Sequence, residues 1–230
     1  IRPQPHPPRH KEYLMTIELY VFPPSPVAFK VMAIANHLGI DYALHIVDLR
    51  KGEQKAPHYA ALNPNMRMPT LKDGDYVLWE SNAIAQYLAS KRPESGLLPK
   101  DERARLEVTR WQFWELAHWH PACAVFAFEY VVKPLIGLGE PDMAAIAKGR
   151  EEFERAATVL DGQLKDRRFI TGDTLTLADF SIGAAINLAE MARYPVAPYG
   201  AIKRWYAGLC ALPAWQKTLA QAAMPTATAA

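Results

Sequence analysis

Ile17, Leu19 and Val21 alternate with Glu18, Tyr20 and Phe22, a two-residue period that predicts a strand. Pro23-Pro24 stops it. Ser25-Pro26 then joins a favoured N-cap residue to a proline at the first helical position. Val27, Val31, Ile34 and Leu38 recur at helical spacing, and Gly39 stands where a C-terminal glycine cap belongs. Tyr42 to Asp48 alternates again and predicts a second strand. Residues 50–62 are polar, with a short helix at most. Met68 to Leu71 reads as a third strand, Asp73-Gly74 as a hairpin turn, and Tyr76 to Trp79 as the returning strand. Ser81 to Ser90 predicts a helix with Ile84 and Leu88 inward. The order β-α-β-(α)-β-β-α combines a right-handed crossover with a terminal hairpin.

Beyond residue 91 the pattern changes. KRPESGLLPK has the composition of a linker, and helical periodicity follows almost without interruption. One long helix is expected from Glu102 to about Val132 and a second from Met143 to about Lys165. Shorter ones follow at Thr176 to about Ala192, Ile202 to Leu209 and Trp215 to Ala222. The expected fold class is therefore α/β plus all-α. Its divisions are an extension at 1–14, a mixed domain at 15–92, a linker at 93–101, a helical domain at 102–223 and a tail at 224–230. The extension carries four prolines and no apolar segment, so disorder is expected there and in the tail.

Composition narrows the function. Half of the 230 residues are hydrophobic and 22% are charged, which is the balance of a folded globular chain. Lys+Arg 26 against Asp+Glu 24 leaves +2, so neither nucleic acid nor an anionic membrane is an expected partner. No apolar run approaches the roughly 20 residues of a membrane helix. The two cysteines, Cys123 and Cys210, form neither a CxxC pair nor a disulfide framework, and a cytoplasmic setting is expected.

Three stretches carry chemistry together: LYVFPPSPVAFKV, GEQKAPHYAALNPNMRMPTLKDGDYVLWESNAI and TGDTLTLADF. On these, the chain from Ile17 to about Leu219 resembles the cytosolic glutathione transferases, particularly the serine-type classes (theta, phi and bacterial relatives). The resemblance implies a thioredoxin-like domain that binds glutathione, followed by a helical bundle domain. It implies glutathione as co-substrate, a small electrophile as second substrate, a role in detoxification and a homodimer. Ser25 occupies the position of the family's catalytic hydroxyl. Glutathione reacts as its thiolate, and a free thiol has a pKa of about 8.5. Lowering it by two units needs about 2.7 kcal/mol of preferential anion stabilisation, which a hydroxyl donor and a helix N-terminus supply together. Taken locally, Ser25 is also a plain N-cap.

The resemblance further implies a cis peptide at Met68-Pro69, with the Met68 backbone paired to the cysteinyl part of glutathione as an added strand. The chain departs from the family at Asn65-Met66-Arg67, where a glycine is common at position 66. Glu80 and Ser81 are assigned to the γ-glutamyl end, the carboxylate lying at a helix N-terminus. Gln54 and Lys55 match the loop that meets the glycine carboxylate, with Arg67 as a helper. Thr176-Leu177-Ala178-Asp179 reads as a capping box, with Leu175 and Phe180 as its staple, so Asp179 is structural.

For the second substrate, Trp111, Trp114 and His118 recur at i, i+3, i+7, and Phe22, Trp119, Phe126 and Tyr130 are further apolar candidates. Core packing accounts for most such stripes. His118 and His120 lie about 200° apart on a helix and cannot share an ion. His120 and Cys123 are too few for zinc, so no metal is expected. Two other readings remain open at this point. One is glutathione-dependent peroxide or disulfide reduction. The other is a non-catalytic binding or assembly module, distinguished by titration with glutathione.

Overall fold

A computed structural model describes residues 17–223. The expected extension at 1–14 and tail at 224–230 lie outside the described residues. The first half is a four-stranded sheet with helices. Strand β1 (Ile17–Val21) leads through α1 (Pro26–His37) to β2 (Tyr42–Ile46), which pairs parallel to β1. Two short turns, Leu49–Lys51 and Glu53–Lys55, precede α2 (Pro57–Leu62). The hairpin β3 (Thr70–Asp73) and β4 (Tyr76–Trp79) follows, then α3 (Ser81–Ser90). Strand order is β2-β1-β3-β4, with β3 antiparallel to both neighbours. The third strand starts at Thr70, two residues later than the alternation implies, directly after a proline that has no amide for the ladder.

The second half is helical among the described residues, apart from one isolated bridge between Phe169 and Gly172. It comprises α4 (Glu102–Trp114), α5 (His120–Ala127), α6 (Lys133–Leu135), α7 (Met143–Leu164), α8 (Leu177–Ile186), α9 (Gly200–Cys210) and α10 (Pro213–Ala222). The single long helix expected over 102–132 is interrupted twice by wide π turns, at Glu115–Trp119 and Phe128–Val132. Pro121 and Pro134 lie just beyond them. Each proline removes a helical amide and crowds the carbonyl four residues back, which favours the wider turn.

Helix α1 is buried on every side rather than along one stripe, with all residues from Ala28 to Ala35 inside. It lies between the sheet and the helical domain, packing on α3, α8 and α10. The Phe29 ring meets Trp215 edge-on at 4.9 Å, and Asn36 Nδ2 donates to Thr218 Oγ1 at 2.8 Å and Gln221 Oε1 at 2.7 Å. Helix α8 is likewise wholly buried. Its start is fixed by Asp179, whose carboxylate accepts from the Thr176 and Ile170 amides and from Trp205 Nε1, each at 2.9 Å. Burial pushes the Asp179 carboxyl above its ordinary range, and these donors oppose that rise. The capping box is thus a three-way junction between α8, α9 and the preceding loop. No described helix is long and apolar enough to cross a membrane.

Candidate active site

A cleft of about 580 Å³ opens between the sheet domain and the π turn at Glu115–Trp119. Its walls include Ser25, Gln54, Arg67, Met68, Pro69, Glu80 and Ser81, seven of the eight residues assigned to glutathione or its activation. Lys55 is exposed and stands outside that wall.

Ser25 sits at the head of α1 in extended backbone (φ −74°, ψ 133°). Its carbonyl accepts the Phe29 amide at 2.8 Å, as an N-cap carbonyl does, but its hydroxyl makes no cap bond. Pro26 supplies no amide, so the remaining first-turn donors of α1 and the Ser25 hydroxyl converge on the cleft. The local reading of Ser25 as a side-chain cap therefore does not describe this helix.

The loop after α2 is braced from inside the sheet domain. The Arg67 carbonyl accepts from Tyr59 Oη and from Asn63 Nδ2, both at 2.7 Å. The Met68–Pro69 peptide is cis. Met66, in the place where the family commonly has glycine, takes φ +53°, the left-handed conformation that glycine adopts without strain. Glu80 is also left-handed, at φ +74° and ψ 114°, a region that costs roughly 1–3 kcal/mol and recurs at binding sites. It turns the chain from β4 into α3, so that Ser81 and the first amides of α3 open the helix at the cleft. Gln54 Oε1 is buried without a partner among the described residues and offers an acceptor to a peptide N–H.

Behind Ser81 lies a buried network that sequence patterning does not reveal. Lys30 is 1% exposed and donates to Ser81 Oγ at 3.2 Å, Asn82 Oδ1 at 2.9 Å and Glu115 Oε2 at 3.0 Å. Asn82 Nδ2 donates to the same Glu115 oxygen at 3.0 Å, and Ser181 Oγ donates to Asn82 Oδ1 at 2.9 Å. One ammonium thus ties α1, α3 and the helical domain together, and its bond to the Ser81 oxygen leaves that hydroxyl's proton free to donate into the cleft.

The residues expected to hold the second substrate stand off the wall of this cleft. Trp111 is 2% exposed and packs edge-on against Trp114, with ring centroids 5.0 Å apart. Trp114 is half-buried and stacks at 6.3 Å on Trp119, which is fully enclosed, as is Phe126. His118 faces a separate groove lined by Pro121, Val125, Lys148 and Arg155. Phe22 is half-buried and off the cleft wall, and only its carbonyl engages the site, accepting the Ser25 amide at 2.9 Å. The helical wall of the cleft is formed by Leu116 and His120 instead. Val27, Leu49, Asn63 and Met66 complete the lining. Of these, Val27 entered the sequence reading as a helix-face residue and Met66 as a departure from the family pattern, while Leu49 and Asn63 carried no signal.

The class of protein defined here has a thioredoxin-like sheet domain, a helical partner domain and a cleft that holds a hydroxyl at a helix N-terminus. Family models agree. The model for the glutathione S-transferase N-terminal domain matches residues 15–90, and that for the C-terminal domain matches residues 143–208. Glutathione S-transferase 3 of Zea mays is 38% identical over 216 residues, covering 91% of this chain and 96% of that protein. A glutathione S-transferase of Hyoscyamus muticus is 31% identical, covering 85% and 93%. Among solved structures, glutathione S-transferase III in apo form superposes with a TM-score of 0.82 at 34% identity, covering 91% and 98%. The chain belongs to the glutathione S-transferase family.

Proposed function

We propose that this glutathione transferase holds the sulfur of glutathione as a thiolate at the Ser25 hydroxyl and transfers it to a small, largely apolar electrophile resting against Leu116 and His120. The supporting observation is the Ser25 hydroxyl, which lines the cleft and makes no cap bond to α1. Ser81 and the start of α3 would take the γ-glutamyl carboxylate, Glu80 the ammonium, and the Met68 backbone before Pro69 the cysteinyl amide. Gln54 and Arg67, with Lys55 from outside the wall, would hold the glycine end. A solved relative, glutathione S-transferase-I bound with lactoylglutathione, is 26% identical with a TM-score of 0.81, and its ligand contains glutathione.

The sulfur chemistry belongs to the ligand, not to a protein thiol. Neither cysteine lines the cleft, and burial pushes the Cys123 thiol well above its ordinary value. A homodimer is part of the proposal. Leu106 and Phe113 lie seven residues apart on α4, 58% and 65% exposed, and offer apolar surface on that helix. A cytoplasmic setting and a role in clearing electrophiles rest on the family alone.

Ser25→Ala removes one charge-assisted hydrogen bond, about 1.5–3 kcal/mol, so conjugation should fall roughly 10- to 150-fold. Calorimetry should still find glutathione bound. Undiminished turnover in this variant removes Ser25 from the mechanism.

A further inference from the structure

His120 is the titratable side chain on the helical wall of the cleft, and its placement depends on an irregular helix. In a regular α-helix, residues five apart point about 140° away from each other. The wide turn at Glu115–Trp119 closes a bond from the His120 amide to the Glu115 carbonyl and stacks the two residues. The Glu115 carboxylate is 1% exposed and divides its two oxygens. Lys30 and Asn82 occupy Oε2, while Oε1 stands 3.8 Å from His120 Nδ1. The imidazole side chain is 40% exposed and lines the same cleft as Ser25. A buried carboxylate facing Nδ1 favours the tautomer with the proton on that nitrogen and leaves Nε2 as an acceptor.

We propose that His120 carries the proton of the conjugation reaction, taking it from the glutathione thiol and returning it to the electrophile when that electrophile is an activated alkene. This deepens the transferase reading and rests on it. In the first step the S–H bond breaks, its electron pair stays on sulfur beside Ser25, and the proton passes to His120 Nε2. The sulfur pair then forms a C–S bond at the β-carbon of an α,β-unsaturated carbonyl. The alkene π pair moves toward the carbonyl, and the resulting enolate takes the proton from Nε2. Glutathione and alkene become one thioether, the imidazole returns to neutral, and no further reactant is needed. With an aryl halide, by contrast, halide departs with its bonding pair and the proton is released to water. The second half of the cycle then has no use for the imidazolium.

The surroundings suit a group that changes charge within each turnover. Glu115 favours the imidazolium, the Lys30 ammonium behind it opposes, and Arg67 and Glu80 on the facing walls carry opposite signs. Burial holds the imidazole below its ordinary pKa of 6.5, so the resting ring at neutral pH is the neutral, proton-accepting form.

The test compares wild type with His120→Gln, using glutathione with an α,β-unsaturated ketone and with an activated aryl halide. Glutamine keeps polarity and approximate size but neither takes up nor gives up a proton near neutral pH. The kcat/KM for the ketone should fall by about tenfold or more beyond the fall for the halide, within the range of positioned proton transfer. Equal losses with both electrophiles, or no loss with either, overturn the proposal. Calorimetry with glutathione on both proteins separates the two levels of inference. If wild type neither binds glutathione nor turns over either electrophile, the transferase reading falls and takes this one with it. Retained binding with equal losses rejects His120 alone.

Discussion

Replacing Lys30 with methionine should destabilise the protein severely although the side chain touches no solvent-facing surface. Methionine matches the length of the aliphatic stem but leaves three acceptors behind: Ser81 Oγ, Asn82 Oδ1 and Glu115 Oε2. Glu115, 1% exposed, would keep Asn82 as its remaining close donor. Breaking a buried ion pair from one side costs about 3–5 kcal/mol, because the stranded charge has lost both water and partner. For a chain of this size, each kcal/mol lowers Tm by about 2–4 °C, so a fall of roughly 6–20 °C is expected. Urea denaturation and thermal scans at neutral pH read it directly. The double variant Lys30→Met with Glu115→Leu removes both charges and should recover much of the loss, since apolar replacement of a whole buried pair is often neutral. A single variant within about 1 kcal/mol of wild type, or a double variant no better than the single, refutes the assignment of Lys30–Glu115 as a bond that holds the two domains together.

Two further substitutions separate scaffold from site. Asp179→Ala strands the amides of Ile170 and Thr176 and the indole N–H of Trp205, and should cost about 3 kcal/mol or more in denaturation. The folded fraction should bind glutathione normally by calorimetry, and a selective loss of glutathione affinity would contradict its structural role. Gly183→Ala would place a Cβ 2.5 Å from Leu209 Cδ1 and 3.1 Å from the Trp215 ring. This overpacking should cost about 1–3 kcal/mol in the same assay, and an unchanged midpoint would show that Leu209 turns aside.

The fold was legible because each strand and helix of the first half carries its own punctuation. Pro23-Pro24 closes β1, Asp73-Gly74 makes the hairpin, and the Thr176-Asp179 pair opens α8. That most of the residues assigned to glutathione share one cleft was legible for a different reason. Its residues sit at element ends, where chain order fixes position: Ser25 at the head of α1, Glu80-Ser81 at the head of α3, Met68-Pro69 before β3. Lys30 was not legible, because lysine almost never lies fully buried and nothing in its neighbours signals Glu115, which is distant in sequence. Asn63 was not legible either, since its hold on the Arg67 carbonyl emerges only from the folded loop.

The stripe expected for the second substrate misses this cleft for a geometric reason that the chain itself announces. Reading Trp111, Trp114 and His118 as one face assumes about 100° per residue throughout. The π turn at Glu115–Trp119 inserts one extra residue into that count. Beyond it every position shifts by one, so the inward stripe runs through Trp111, Glu115 and Trp119, all buried, while His118 is carried outward. The same slip sets Leu116 and His120 on the cleft, one turn apart. Pro121 is the sequence mark of the slip, since a proline within a helical run ends the regular hydrogen-bond ladder one turn before it. A helical wheel restarted at that proline, rather than run through it, no longer aligns His118 with Trp111 and Trp114.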